Sequence, residues 1–146
     1  MSTVAQILKQ KPDRAVHTVA PDATVFEAVK LMAEKNIGGL LVLEAGSVVG
    51  VVTERDLARK AFRLAKSAGD TPVSEIMTSQ VMYVSPDRTT EECLALMTEN
   101  RFRHLPVLDK GKLVGLVSIG DLVKDVISEQ KFIIEQLEHY IAGDRG

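Results

Sequence analysis

The chain has 146 residues, 45% of them hydrophobic, 26% charged and 4% aromatic, with no tryptophan and a formal net charge of −2. That balance suits a soluble globular protein and argues against nucleic acid as a partner, since a phosphate-backbone binder shows a basic face and a single-strand binder needs stacking rings. A soluble cytoplasmic protein is expected: the single Cys93 cannot close an intramolecular disulfide, the start lacks a signal-peptide pattern, and the longest apolar stretch, Ile37 to Leu43, falls far short of a bilayer span.

The first predicted element is a short leading helix over Thr3-Val4-Ala5-Gln6-Ile7-Leu8. An extended segment at His17-Thr18-Val19 is then stopped by Pro21-Asp22, and Thr24-Val25-Phe26-Glu27 fits the capping box that opens a helix. Val25, Ala28, Val29 and Met32 recur at helical spacing and give that helix one apolar face. Leu40 to Leu43 and Val48 to Val52 read as strands of a hairpin that turns at Ala45-Gly46. A further helix begins near Thr53, and residues 58–71 carry it into a polar linker with Arg59, Lys60, Arg63 and Lys66.

The second half repeats this order. Pro72-Val73-Ser74-Glu75-Ile76-Met77 resembles the leading helix, Met82-Tyr83-Val84 is an extended segment, and Thr89-Thr90-Glu91-Glu92 opens a helix with Cys93, Leu94, Leu96 and Met97 at apolar spacing. Leu105-Pro106-Val107-Leu108 and Leu113 to Val117 form a second hairpin around Lys110-Gly111. From Asp121 a long terminal helix is predicted, with Leu122, Val126, Ile127, Ile133, Ile134, Leu137 and Ile141 on a broad apolar face that needs something to pack on.

An offset of 65 residues lays Val16 to Leu57 over Val81 to Leu122 without a gap. Pro21/Pro86, Asp22/Asp87, Thr24/Thr89, Met32/Met97, Gly46/Gly111, Gly50/Gly115 and Asp56/Asp121 all match, which chance does not arrange. The expected fold is α+β, with two repeats of strand, helix, strand, strand, helix and a long C-terminal helix. The expected division is residues 1–71, the first repeat with its leading helix and linker, and residues 72–146, the second repeat with the terminal helix.

Two segments hold the candidate chemistry: Gly50-Val51-Val52-Thr53-Glu54-Arg55-Asp56 and Gly115-Leu116-Val117-Ser118-Ile119-Gly120-Asp121. In each, a buried strand ends in a hydroxyl residue and an aspartate follows three positions later, so a hydroxyl, a carboxylate and free backbone N–H groups converge at a helix start. Ribose hydroxyls are donors that a carboxylate accepts, and a phosphate suits the N–H groups and the helix dipole. The same spacing also serves as a plain capping box, and spacing alone leaves both readings open.

Over nearly its whole length the chain resembles a tandem CBS-domain pair, or Bateman module. The repeat length, the Pro-Asp-x-Thr helix start, the His104-Leu105-Pro106-Val107 strand and the two Gly-x-x-Thr/Ser-x-x-Asp segments carry the resemblance. It implies two repeats packed about a pseudo-twofold axis, with inter-repeat clefts that take AMP, ADP, ATP, NAD or S-adenosylmethionine. It further implies that Asp56 and Asp121 hold ribose hydroxyls and that Thr53 and Ser118 contact ribose or phosphate. Thr18, Val19, Met82 and Tyr83, with Gly39, Leu40, Leu105 and Pro106, would line an adenine slot. Arg103, His104 and Arg55 would reach phosphate, a contact for which arginine is well shaped. The family commonly forms homodimers through helices, and with no output domain in the sequence, regulation is expected to act in trans on an effector protein.

The repeats differ where phosphate would lie: Gly38-Gly39 stands in place of Arg103-His104, Leu41 in place of Pro106, and Gly120 in place of Arg55. Equal occupancy of the two sites is not expected: one either accepts a larger ligand, borrows basic residues from the other repeat, or stays empty. Catalysis is not expected, because the sequence has no phosphate-binding Gly-x-x-x-x-Gly-Lys-Ser/Thr loop and no Gly-x-Ser-x-Gly elbow. No metal is expected either, since His17, His104 and His139 lack ligand spacing, and Cys93 reads as core. A Ser118, His104, Asp121 triad can be drawn, but the duplicated hydroxyl and aspartate already have a binding explanation. The competing function is an interaction or dimerisation scaffold with vestigial clefts, supported by the apolar terminal helix.

Overall fold

A computed structural model describes residues 2–11, 15–60 and 68–141. In chain order the elements are α1 (Val4–Gln10), β1 (Thr18–Val19), α2 (Val25–Lys35), β2 (Gly39–Glu44), β3 (Ser47–Thr53), α3 (Glu54–Lys60), a 3-10 turn (Val73–Glu75), α4 (Thr90–Asn100), β4 (His104–Asp109), β5 (Lys112–Ser118) and α5 (Ile119–Ile141). The fold is α+β, with two repeats of like element order and a long last helix, as the sequence leads one to expect. Arg63 and Lys66 of the predicted linker lie outside the described residues.

Local chemistry sets the helix ends. Thr24 and Thr89 accept from the backbone N–H groups of Glu27 and Glu92, whose carboxylates return to the cap N–H groups, so both predicted capping boxes form. α2 and α4 end on left-handed residues, Asn36 at φ 53° and Arg101 at φ 58°. In both hairpins the two turn residues have positive φ, Ala45 with Gly46 and Lys110 with Gly111, which is the requirement of a type I′ turn.

The first repeat holds a three-stranded sheet in the order β1-β2-β3, with β1 parallel to β2 and β2 antiparallel to β3. Among the described residues the second holds the antiparallel pair β4-β5. Its predicted first strand, Met82-Tyr83-Val84, is reduced to one parallel bridge between Val84 and Val107. The second leading segment is likewise a single 3-10 turn rather than a helix, because the chain leaves it at Thr78, whose N–H and carbonyl bond Val51 of β3 at 2.8 and 3.0 Å; its Val73 and Ser74 N–H groups donate to Ala23 and Pro21 at 2.8 and 3.1 Å.

Those bonds reveal how the chain divides. One compact unit is Ala15–Met82 and the other combines Met1–Arg14 with Tyr83–Gly146, a different division from the expected break after residue 71. Each leading segment is built into the other repeat. In the mirror arrangement, Val4 and Ala5 donate to Arg88 and Pro86 at 2.8 and 2.9 Å. The first unit's core gathers Val25, Ala28, Met32, Leu40, Val42 and Val52 with Val73 and Ile76 from the second leading segment. In the other unit the matching residues Cys93, Met97, Leu105, Val107 and Val117 are buried, as are Val4 and Ile7.

One match is polar. Thr90 stands where Val25 stands in the first repeat, and its hydroxyl donates to the buried Asp125 of α5 at 2.9 Å. Beyond Leu122 and Asp125, α5 has no buried residue; Val126 is half-buried, and Ile127, Ile133, Ile134, Leu137 and Ile141 are exposed.

Candidate functional site

In the first unit β3 delivers Thr53 to the start of α3, and Asp56 follows within the first turn. The Thr53 N–H donates to Asp56 Oδ2 at 2.9 Å, and the Asp56 N–H donates to Thr53 Oγ1 at 3.1 Å, so the pair caps the helix reciprocally. Thr53 Oγ1 also donates to Asp56 Oδ2 at 3.1 Å. The other carboxylate oxygen, Oδ1, accepts from Thr78 Oγ1 at 3.0 Å and lies 3.7 Å from Lys60 Nζ. Lys60 itself donates to the carbonyl of Ile76 at 2.8 Å. Directly across the ladder from Thr53 is Gly39, and the Glu54 N–H donates to the carbonyl of Gly38 at 3.0 Å.

The second unit repeats the frame with different partners. β5 ends at Ser118, α5 begins at Ile119, and Ser118 and Asp121 exchange bonds of 2.8 and 3.1 Å. Lys11, which ends α1, lies 3.0 Å from Asp121 Oδ2 and donates to the carbonyl of Leu116 at 2.9 Å. His104 sits across the ladder from Ser118, and the Ile119 N–H donates to the carbonyl of Arg103 at 2.8 Å. Of the three residues from which a triad can be drawn, Ser118 Oγ accepts the Asp121 N–H, and Asp121 is engaged by Lys11 and the Ser118 N–H.

Of the other candidates, Thr18 and Val19 form β1 beside Leu41 and Val42, and Leu40 is fully buried opposite Val52. Leu105 and Pro106 are buried in β4, where the Pro106 carbonyl accepts from the Val84 N–H at 3.0 Å. Tyr83 and Arg103 are exposed in that unit, Arg55 is exposed on α3, and Met82 closes the first unit, half-buried. Thus Thr53, Asp56, Gly39, Leu40, Thr18, Val19 and Arg55 belong to one unit, and Ser118, Asp121, Arg103, His104, Leu105, Pro106 and Tyr83 to the other.

Sequence reasoning missed Thr78 and Lys11 as partners of the carboxylates. Lys60 was legible in principle, four residues after Asp56 on a helix, but the other two arrive from distant segments. Among the described residues, no cluster of three metal-ligating side chains exists and no helix is long and apolar enough to cross a membrane. Burial, aided by the neighbouring Glu92 charge, pushes the Cys93 thiol up to about 11. At the mouth of α4, hydrogen bonds from Ser85 to Asp87 and from Arg88 to Glu92 hold both acids below the usual carboxylate range on the open surface.

Comparison with known proteins finds the CBS domain profile matching twice, over residues 4–63 and 73–128. The CBS domain-containing protein CBSX3, mitochondrial, from Arabidopsis thaliana is 35% identical over 97% of this chain and 73% of its own length. A solved protein with CBS domains from Burkholderia ambifaria MC40-6 is 59% identical, with a TM-score of 0.84 over 88% of this chain and 96% of that one. The CBS domain pair of protein MJ0100, solved in complex with 5′-methylthioadenosine and S-adenosyl-L-methionine, is 25% identical, with a TM-score of 0.73 over 84% of this chain and 98% of that one.

Proposed function

The chain belongs to the CBS domain family, and from that premise we propose that it is a non-catalytic regulatory module that binds an adenosine-containing ligand and acts on a partner protein in trans. The observation that carries this reading is the duplicated frame at Thr53–Asp56 and Ser118–Asp121, where a hydroxyl and a carboxylate meet at the end of a buried strand in each unit. Ribose presents vicinal hydroxyls, and a carboxylate is the acceptor that pairs with them best. The likeness to MJ0100, solved with two adenosine derivatives, supports the ligand class. AMP, ADP, ATP, NAD and S-adenosylmethionine all share that nucleoside. Arg103 and His104, beside the second motif, favour a phosphorylated form. A cytoplasmic setting agrees with a lone, buried cysteine.

Mass spectrometry of small molecules released from the purified, heat-denatured protein tests the reading. An adenosine compound near stoichiometric amount is expected, and stoichiometric release of a compound with no adenine overturns it.

A second reading, dimerisation as the main task, is favoured by α5, whose Ile133, Ile134, Leu137 and Ile141 are all more than half exposed. A homodimer and a ligand-binding module are compatible, and a dimer would supply the geometry that a ligand modulates.

A further inference from the structure

The two carboxylates differ in what the chain itself already gives them. Asp56 is the more fully engaged: Oδ2 accepts from the Thr53 N–H and the Thr53 hydroxyl, and Oδ1 accepts from the Thr78 hydroxyl with Lys60 nearby. Its side chain is 13% exposed. Asp121 is half used: Oδ2 takes the Ser118 N–H and Lys11, and among the described residues no donor reaches Oδ1. That side chain is 22% exposed. The hydroxyls differ in the same sense, because Thr53 donates its proton to Asp56, whereas among the described residues Ser118 accepts from the Asp121 N–H and donates to none.

Thr78 is not a loose neighbour. Its N–H and carbonyl both bond Val51 of β3, at 2.8 and 3.0 Å, so the backbone holds its hydroxyl against Asp56. In effect a protein hydroxyl occupies the acceptor that a ribose hydroxyl would use.

We infer that Thr78 is a positioning residue that makes the two motifs unequal, so that the Ser118–Asp121 motif takes the nucleoside first and the Thr53–Asp56 motif takes a second one only by displacing the Thr78 hydroxyl. The inference rests on the functional reading above and adds to it an order of filling and the residue that sets it. A hydrogen bond to a charged acceptor corresponds to roughly tenfold to a hundredfold in a binding constant, which is the expected gap in affinity.

Calorimetric titration of the full chain with 5′-methylthioadenosine tests this, because an uncharged nucleoside removes any contribution from Arg103 or His104 to phosphate. The wild-type chain is expected to show one tight and one weak site. Thr78→Val should strengthen the weak site tenfold or more and leave the tight one unchanged, Thr78→Ser should restore the wild-type gap, and Asp121→Asn should remove the tight site while Asp56→Asn spares it. A gap that Thr78→Val does not move, or a tight site lost in Asp56→Asn, overturns the inference while leaving nucleoside binding in place. If neither 5′-methylthioadenosine nor ATP binds the wild-type or Thr78→Val chain at millimolar concentration, the functional reading itself falls, and the inference with it. Equal melting temperatures of wild type, Thr78→Val and Thr78→Ser establish that affinities, not folding, are compared.

Discussion

Gly115 lies where α1 crosses β5, and a Cβ added there would stand 2.6 and 2.8 Å from the two methyl carbons of Leu8. Gly50 is the same device in the other unit, facing Met77 Sδ at 2.5 Å and the Thr78 carbonyl at 3.1 Å. The glycine that opens each Gly-x-x-Thr/Ser-x-x-Asp segment therefore allows close approach of a leading segment. Gly50→Ala, whose added methyl would meet the Thr78 backbone carbonyl as well as Met77, should destabilise by about 1–3 kcal/mol through overpacking, read from the urea midpoint, while Gly120→Ala, with only Ser118 Oγ at 3.6 Å, should stay within about 0.5 kcal/mol. Cys93 makes a prediction of opposite character. Its thiol stays protonated in the fold up to about 11, against an ordinary value of 9.0, so between those values the unfolded chain has lost a proton that the folded chain keeps. Stability should fall as pH rises through that window, more steeply in the wild type than in Cys93→Ala, and Cys93 should react slowly with a thiol reagent until the protein is unfolded. Equal slopes in the two proteins would contradict this. At this scale the sequence showed the capping pairs but not their rivals. Thr53 and Asp56 are three residues apart and legible, whereas Thr78 is 22 residues away from Asp56 and Asp125 is 35 away from Thr90.

Among the elements, those governed by local chemistry were legible. The capping boxes at Thr24 and Thr89 and the turns at Ala45-Gly46 and Lys110-Gly111 form as read, because each is decided within four residues. The elements that depend on what lies beside them were not. Val73–Glu75 resembles α1 in sequence yet makes only one 3-10 turn, and Val84 pairs through one bridge where β1 has two ladder positions. The terminal helix was legible in type and length, but its apolar face finds no burial within the described chain beyond Leu122 and half-buried Val126. Exposed isoleucines at 127, 134 and 141 recur at an interval of seven, the spacing of a helix–helix seam. Ile134→Glu should therefore lower the oligomeric state in light scattering while leaving the melting transition of the monomer intact. A wild-type chain that is monomeric at micromolar concentration would contradict it.

For the whole molecule, the gapless self-match displayed the repeats but not their exchange of leading segments, since the segments resemble each other and nothing local says which sheet each will join. Val4, Ile7, Val73 and Ile76 are nearly or completely buried, and each stabilises the repeat that it does not precede. Ile7→Ala should cost about 2–5 kcal/mol. Its amide exchange should rise first in β4 and β5, whereas Ile76→Ala should act first on β2 and β3. The reverse pattern would contradict the exchange. The same arrangement connects fold to function, because it carries Lys11 to Asp121 and Thr78 to Asp56. The most direct test of nucleoside binding is the thermal shift of the wild-type chain and of the Asp56→Ala/Asp121→Ala double variant with AMP, ATP, NAD and S-adenosylmethionine. A ligand at a hundredfold excess over its Kd stabilises by about 2.7 kcal/mol. At least one of the four is therefore expected to raise the wild-type Tm by several degrees and to leave the double variant unmoved; no shift in the wild type with any of them at millimolar concentration, or an equal shift in both proteins, would contradict the account.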